Sequence, residues 1–226
     1  MKVQREKRFA LLMAVRDSDY VKKVYGGYFN VFVEAFADEE EKWDLFRIVE
    51  GEFPAIDDLQ NYEGFVISGS PHDAYGDEYW ILELCFILQT LFAMQKKVLG
   101  ICFGHQVLCR ALGGKVGKAY SGWDIGIRKV CEVPEGAQVL ACSDKTRVEM
   151  FKFGDNILGI QGHPEYEKDI LDNIIDRLLS NGSFEKGFAE EAKLKSMEAE
   201  ADRKYWERIC KSFLKGRWIT QSQTYF

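Results

Sequence analysis

Cys102 ends the apolar run Val98-Leu99-Gly100-Ile101 and opens a stretch of helical periodicity in which Val107, Leu108, Ala111 and Leu112 share one face. Gly100 and Gly104 stand two residues to either side of it, a Gly-x-Cys-x-Gly pattern. A strand that turns straight into a helix presses backbone on backbone, and side chains at those two positions would collide. Such a turn lifts the thiol out of the sheet edge. It also sets it at a helix N-terminus, where unpaired N–H groups and the dipole favour a thiolate nucleophile. The same residue also fits a cysteine buried at a strand end, so the nucleophile reading needs a base elsewhere in the chain.

The chain has three histidines, His72, His105 and His163. The third lies in Gly162-His163-Pro164-Glu165, after the apolar run Ile157 to Ile160. A cysteine nucleophile needs a base, and the base needs a third group to hold its ring. His163 and Glu165 are two apart, so on extended chain they project to the same side. Pro164 holds His163 extended. The four residues also read as an ordinary helix start, with proline at its first position. A metal reading competes for Cys102, His105 and Cys109, which fall on one helical face. It lacks a fourth ligand and leaves the two glycines unexplained, so no metal is expected.

The elements that must position these residues follow from pattern. Phe9 to Val15, Trp43 to Val49, Gly64 to Ser68 and Val98 to Ile101 read as strands. Asn30 to Phe36 and Trp80 to Gln95 read as helices, with a short helix or turn over Pro54 to Tyr62. That alternation predicts an α/β fold with a mostly parallel sheet, whose ligands bind at the carboxyl ends of the strands. Ser68-Gly69-Ser70-Pro71 and Cys102 both fall at such ends. After Gly113-Gly114, segments at Gly126 to Val133, Gln138 to Ala141, Val148 to Phe153 and Ile157 to Gln161 predict an antiparallel extension. Glu167 to Leu179 is helical, with Gly182 as its stop, and Phe184 to Lys215 predicts a helical tail docked by Tyr205, Ile209 and Phe213. The expectation is a single domain over 1–226, with its core at about 9–182 and a C-terminal helical extension at about 183–226.

Composition narrows the function classes. Apolar residues make up 46% of 226, enough for an ordered globular core. A net charge of −6 disfavours nucleic-acid binding. The six cysteines are scattered without a framework, which predicts free thiols in a reducing compartment. The basic N-terminus and Phe9 to Val15 imitate a signal peptide but run into Arg16-Asp17-Ser18-Asp19 with no cleavage site. No apolar run is long enough to span a membrane. A cytosolic protein with no membrane or nucleic-acid partner is expected.

Gly-Ile-Cys-Phe-Gly-His-Gln at 100–106 and Gln-Gly-His-Pro-Glu at 161–165, in that order, resemble a class I glutamine amidotransferase over Phe9 to about Leu179. Tyr25-Gly26-Gly27-Tyr28-Phe29-Asn30-Val31-Phe32, the stretch Gly64 to Ala74 and Cys210 to Arg217 are similar to the plant γ-glutamyl peptidases of that superfamily. The resemblance implies a flavodoxin-like sheet flanked by helices and no cofactor. It implies hydrolysis of the γ-glutamyl amide bond of small glutathione conjugates, in glutathione and glucosinolate metabolism. It assigns Cys102 as nucleophile, His163 as base and acid, and Glu165 as orienting carboxylate. Gly69 and Phe103 N–H groups become the oxyanion hole, with Gln106 and His72 as candidates for the substrate wall; on the residues alone, His72 reads equally as a surface turn residue. A glutaminase component serving a partner, or an inactive binding relative, are the alternatives. The last has a motive. The family carries a His-x-Asp-x-Val segment that this chain lacks, and Cys102 and His163 are only 61 positions apart. The missing block is expected at Val133-Pro134, where it would supply a strand and part of the wall. Oligomeric state is not readable from the sequence.

Overall fold

The computed structural model describes residues 6–118, 128–144, 146–180 and 200–217. A seven-stranded sheet forms its centre, with parallel strands β1 (Lys7–Leu12), β2 (Glu41–Phe46), β3 (Gly64–Ile67), β4 (Lys97–Ile101) and β9 (Ile157–Ile160). The strands β7 (Gln138–Ala141) and β8 (Met150–Phe153) continue it antiparallel beyond β9, so that the order is β2-β1-β3-β4-β9-β8-β7. The strands β5 (Lys115–Lys118) and β6 (Arg128–Glu132) form a separate antiparallel pair.

The apolar runs of β3, β4 and β9 are continuous because parallel strands are covered on both faces. Side-chain alternation then divides each strand between two cores. Ala10, Leu12, Phe65, Ile67, Val98 and Ile157 face one core, shared with the helices α3 (Tyr79–Ala93) and α4 (Phe103–Ala111). Phe9, Leu11, Val66, Leu99, Leu158 and Ile160 face the other. There they meet α1 (Asp19–Tyr25), α2 (Tyr28–Phe36), α5 (Lys168–Ser180) and α6 (Glu200–Leu214). Short 3-10 turns at Ile48–Glu50 and Ile56–Asn61 complete the layer, the second where a short helix or turn is expected.

Three expectations need correction. Ile157 to Ile160 pairs antiparallel with β8 as expected, but on its other side it pairs parallel with β4, at the centre of the sheet. The segment at 128–132 leaves the main sheet for β5, a partner 10 to 17 residues upstream that local texture cannot reveal. On α6, Phe213 and the half-buried Ile209 pack inward as expected, but Tyr205 is 53% exposed, and Cys210 and Leu214 fill the interface instead. Gly182 and the beginning of the expected tail lie outside the described residues. From β6 the chain reaches β7 through one tight turn, closed by Ala137 N–H donating to the Pro134 carbonyl, 3.0 Å.

Lys215, just past α6, is nearly fully buried against Glu41 and lies over the Phe9 ring at 3.6 Å. Arg203, near the other end of the helix, grips both Glu167 oxygens at 2.9 Å. The helix is thereby strapped at both ends across the sheet.

Candidate active site

Cys102 sits between β4 and α4 with φ 53°, ψ −102°, a left-handed backbone that a side chain adopts only under constraint. The constraint is visible. A methyl on Gly100 would collide with the Gly104 carbonyl, and one on Gly104 would lie 2.5 Å from the Ile67 carbonyl oxygen. Cys102 N–H donates to Ile160 O at 2.8 Å, and Gln106 N–H donates to Cys102 O at 3.1 Å. The elbow is therefore tied at once to β9 and to its own helix. Phe103 opens α4, so its N–H has no carbonyl four residues back to accept it.

The end of β9 brings the other groups. His163 Nδ1 lies 2.8 Å from Glu165 Oε1. The carboxylate accepts, so the ring proton is on Nδ1 and Nε2 is left for the sulfur. Glu165 is 2% exposed, and its Oε2 has no hydrogen-bond partner among the described residues. Burial resists charging His163, but Glu165 and then Cys102 outweigh it, and the imidazole is pushed up to about 10. The ring therefore keeps its charge wherever these two neighbours carry theirs.

Gly69 lies directly against this pair. A methyl there would be 2.5 Å from His163 Cε1 and 3.6 Å from Cys102 Cβ. Ser68 fixes its approach: the hydroxyl accepts from Ala14 N–H at 2.8 Å and donates to Gly69 O at 2.9 Å. The Gly69 N–H makes no backbone hydrogen bond among the described residues. Downstream, Arg110 on α4 donates to the Ala74 carbonyl at 3.0 Å and to Gly76 O at 2.5 Å. The elbow helix thus holds the loop that carries Gly69.

Cys102, His163, Glu165, Gly69 and Phe103 are brought together. Gln106 is not on a cleft wall. It is 3% exposed, and its Nε2 donates to Gln161 Oε1 at 2.9 Å. Gln161 in turn points its Nε2 at Cys102 Sγ, 3.5 Å away. His72 stands further out, edge-on to Trp80 at 5.3 Å and 3.6 Å from Glu78, with Trp80 between it and Phe103. Cys102, His105 and Cys109 do not converge. His105 is fully buried against Phe151 and Gly159, where burial holds its ring down near 4, and Cys109 turns to the Glu132 carbonyl. No group of three metal-ligating side chains occurs among the described residues, and no disulfide joins their cysteines.

Sequence reasoning missed two residues. Gln161 precedes His163 by two, so extended chain places it on the same side, a signal present but unused. Tyr166 stacks flat on His163, with ring centroids 4.4 Å apart and planes 4° apart. Nothing local announces that contact.

A family model described as glutamine amidotransferase class-I matches residues 21–129, which include Cys102 but not His163 or Glu165. Gamma-glutamyl peptidase 5 of Arabidopsis thaliana is 50% identical over 246 positions, covering 95% of this chain and 98% of its own. Gamma-glutamyl peptidase 3 of the same plant is 48% identical, covering 95% and 99%. Since 95% of 226 residues is about 215, about 31 of the 246 aligned positions have no counterpart here. Among solved structures, a glutamine amidotransferase from Methylobacillus flagellatus superposes with a TM-score of 0.68 at 16% identity, covering 98% of both chains. One from Thermotoga maritima superposes at 0.65 with 18% identity, covering 95% of this chain and 98% of its own. At that identity these two speak for the fold alone, and the fold they share is the one described above. With half of its residues matched across nearly the whole of its relatives, the chain belongs to the γ-glutamyl peptidases of the class I glutamine amidotransferase superfamily.

Proposed function

We propose that the chain hydrolyses the γ-glutamyl amide bond of glutathione conjugates in the cytosol, releasing glutamate and the Cys-Gly conjugate. Its place among the γ-glutamyl peptidases supports cysteine-dependent γ-glutamyl hydrolysis. The observation that carries the mechanism is the meeting of Cys102, His163, Glu165 and Gly69 at the carboxyl ends of β3, β4 and β9.

Cys102 Sγ, its proton already passed to His163 Nε2, attacks the γ-carbonyl carbon. The carbonyl oxygen, now negative, faces the Gly69 and Phe103 N–H groups, and each such donor is worth on the order of 10²-fold or more in rate. The intermediate collapses by breaking the C–N bond, and His163 hands its proton to the departing amine. Water then attacks the thioester, gives its proton to His163, and glutamate leaves as the thiol is restored. Glu165 holds the ring's tautomer through Nδ1 and balances its charge throughout. None of these steps calls on a metal or a cofactor.

The purified chain, incubated with a glutathione S-conjugate, glutathione and glutamine, tests this by glutamate release. The conjugate should be turned over fastest. Activity should survive a chelator and be lost to a thiol alkylator. Preferential ammonia release from glutamine would make the chain a glutaminase. Alkylation of Cys102 with no turnover of any substrate would make it an inactive relative, as the 31 unmatched positions would explain.

A further inference from the structure

The hydrogen bond from His163 to Glu165 fixes one corner of the imidazole and leaves a pivot. A ring held at Nδ1 alone swings Nε2 through an arc, and Nε2 is the atom that must meet Cys102. Pro164 restricts the backbone of His163 but not its ring. Something else must set the plane of the ring.

Tyr166 covers one face of it. The two rings are almost parallel, 4° apart, and 4.4 Å between centroids. Tyr166 is 5% exposed, so it has no freedom to turn away. It is propped from far along the chain: Tyr28, on the first turn of α2 and itself 3% exposed, lies 5.8 Å from its ring. Asp17 completes the brace by accepting the Tyr28 N–H at 2.7 Å. The Gly27 that precedes Tyr28 has φ +123°, and a methyl there would press on the Asp17 carboxylate at 3.2 Å.

We propose that Tyr166, backed by Tyr28, is a positioning residue for His163: its ring removes the pivot and holds Nε2 on the line to Cys102. The inference rests on His163 being the base of the proposed reaction. A second effect follows from the same geometry. An aromatic face is electron-rich and favours a cation stacked on it, so the stack adds to what Glu165 does for the charged ring. The charged and titratable groups about His163 are few. Cys102 faces it from the elbow, and Glu165 and Tyr166 from its own loop. Cys210 on α6 lies near Glu165, and Arg203 of the same helix reaches the Pro164 carbonyl at 3.4 Å. A filler side chain would contribute stability alone; a positioning one also controls rate and the pH at which the ring acts.

The test compares Tyr166→Phe, Tyr166→Leu and Tyr28→Leu with wild type and with His163→Ala. Two readouts are taken across pH: kcat and KM on a glutathione S-conjugate, and the alkylation rate of Cys102 by iodoacetamide. Tyr166→Phe keeps the stack and should hold kcat within about 3-fold. Tyr166→Leu should lower kcat roughly 10- to 100-fold with KM little changed, the scale expected from an ångström of misplacement. It should also move the alkylation profile toward that of His163→Ala. Tyr28→Leu leaves the His163 stack in place and removes the ring that backs Tyr166, so it should lower kcat by about 5- to 10-fold; should Tyr166→Leu fail to fold, this variant decides. Wild-type rates and profiles in both overturn the proposal, whatever their thermal stability. Alkylation reads the His163–Cys102 pair without turnover, so it separates the failures. If His163→Ala leaves alkylation and turnover untouched, the base assignment fails and this inference with it. If only Tyr166→Leu does, the inference alone fails.

Discussion

The junction of β4 and β9 and the far edge at β7 are built to opposite standards. At the junction Ile157, Leu158, Val98, Leu99 and Ile101 are fully buried, and His163, Gln161, Gln106 and Glu165 are bonded to one another or to Cys102's surroundings. At the edge Gln138, Val139 and Leu140 are all exposed, and among the described residues only β8 pairs with the strand. The link from β6 to β7 is one turn, and the alignment with gamma-glutamyl peptidase 5 leaves about 31 positions without a counterpart in this chain. The residues of the proposed reaction stand at the ends of the central strands, away from this edge.

The largest break in that comparison is at the elbow. Cys102→Ala should lower glutamate release on the order of 10⁴-fold or more, and His163→Ala nearly as much, because the two act as a unit. Cys142→Ala, an exposed thiol beyond β7, should change nothing. Equal losses from Cys102 and Cys142 variants would sink the assignment.

Glycine substitutions sharpen the contrast. Gly69→Ala puts a methyl 2.5 Å from His163 Cε1 and should cost about 10²-fold in kcat, by displacing the ring rather than unfolding the chain. Gly136→Ala, in the β6–β7 turn with φ +84° and only the Phe153 ring nearby, should cost about 1 kcal/mol of stability and leave kcat alone. A Gly69→Ala enzyme with wild-type kcat would place the oxyanion elsewhere.

How much of this was legible in the sequence depends on range. The elbow was readable because its glycines are a local steric requirement, which the structure shows at the Gly104 and Ile67 carbonyls. Burial on both faces made β1, β3 and β4 readable as apolar runs. Tyr166 and Tyr28 were not, because a ring contact between a loop and the start of α2, 138 residues apart, leaves no local pattern. The role of Gln106 was misread for a related reason: a buried amide on the elbow helix looks like a cleft residue until its partner, Gln161, is in place. The exposure of Tyr205 shows the limit of helical periodicity, since on α6 the true stripe includes Cys210 and Leu214.

pH gives a smaller effect with a defined sign. His163 is raised from 6.5 to about 10, against its burial, by Glu165 and Cys102. Its contribution to stability is therefore whole below about pH 6.5, the unfolded value, and is lost as pH rises through about 10. Urea denaturation of wild type and His163→Gln should differ by roughly 1.5–3 kcal/mol near pH 6, the scale of a hydrogen bond to a charged group. The difference should shrink steadily toward pH 10. A gap that widens with pH would mean that the ring is neutral in the folded protein.

The smallest expected effect is at the edge. β7 reads Gln-Val-Leu-Ala, with no charge, and exposes Val139 by 46% and Leu140 by 40%. Sheet edges that end in apolar side chains and free backbone groups invite pairing with another chain, and a lysine there is a common defence. Val139→Lys should therefore suppress concentration-dependent association, read by light scattering, while stability stays within about 0.5 kcal/mol because the site is on the surface. Turnover and the alkylation rate of Cys102 should be unchanged, since β8 and β9 stand between this strand and the elbow. A fall in kcat from a charge at Val139 would contradict the separation of centre and edge, and would make the edge strand part of the working site.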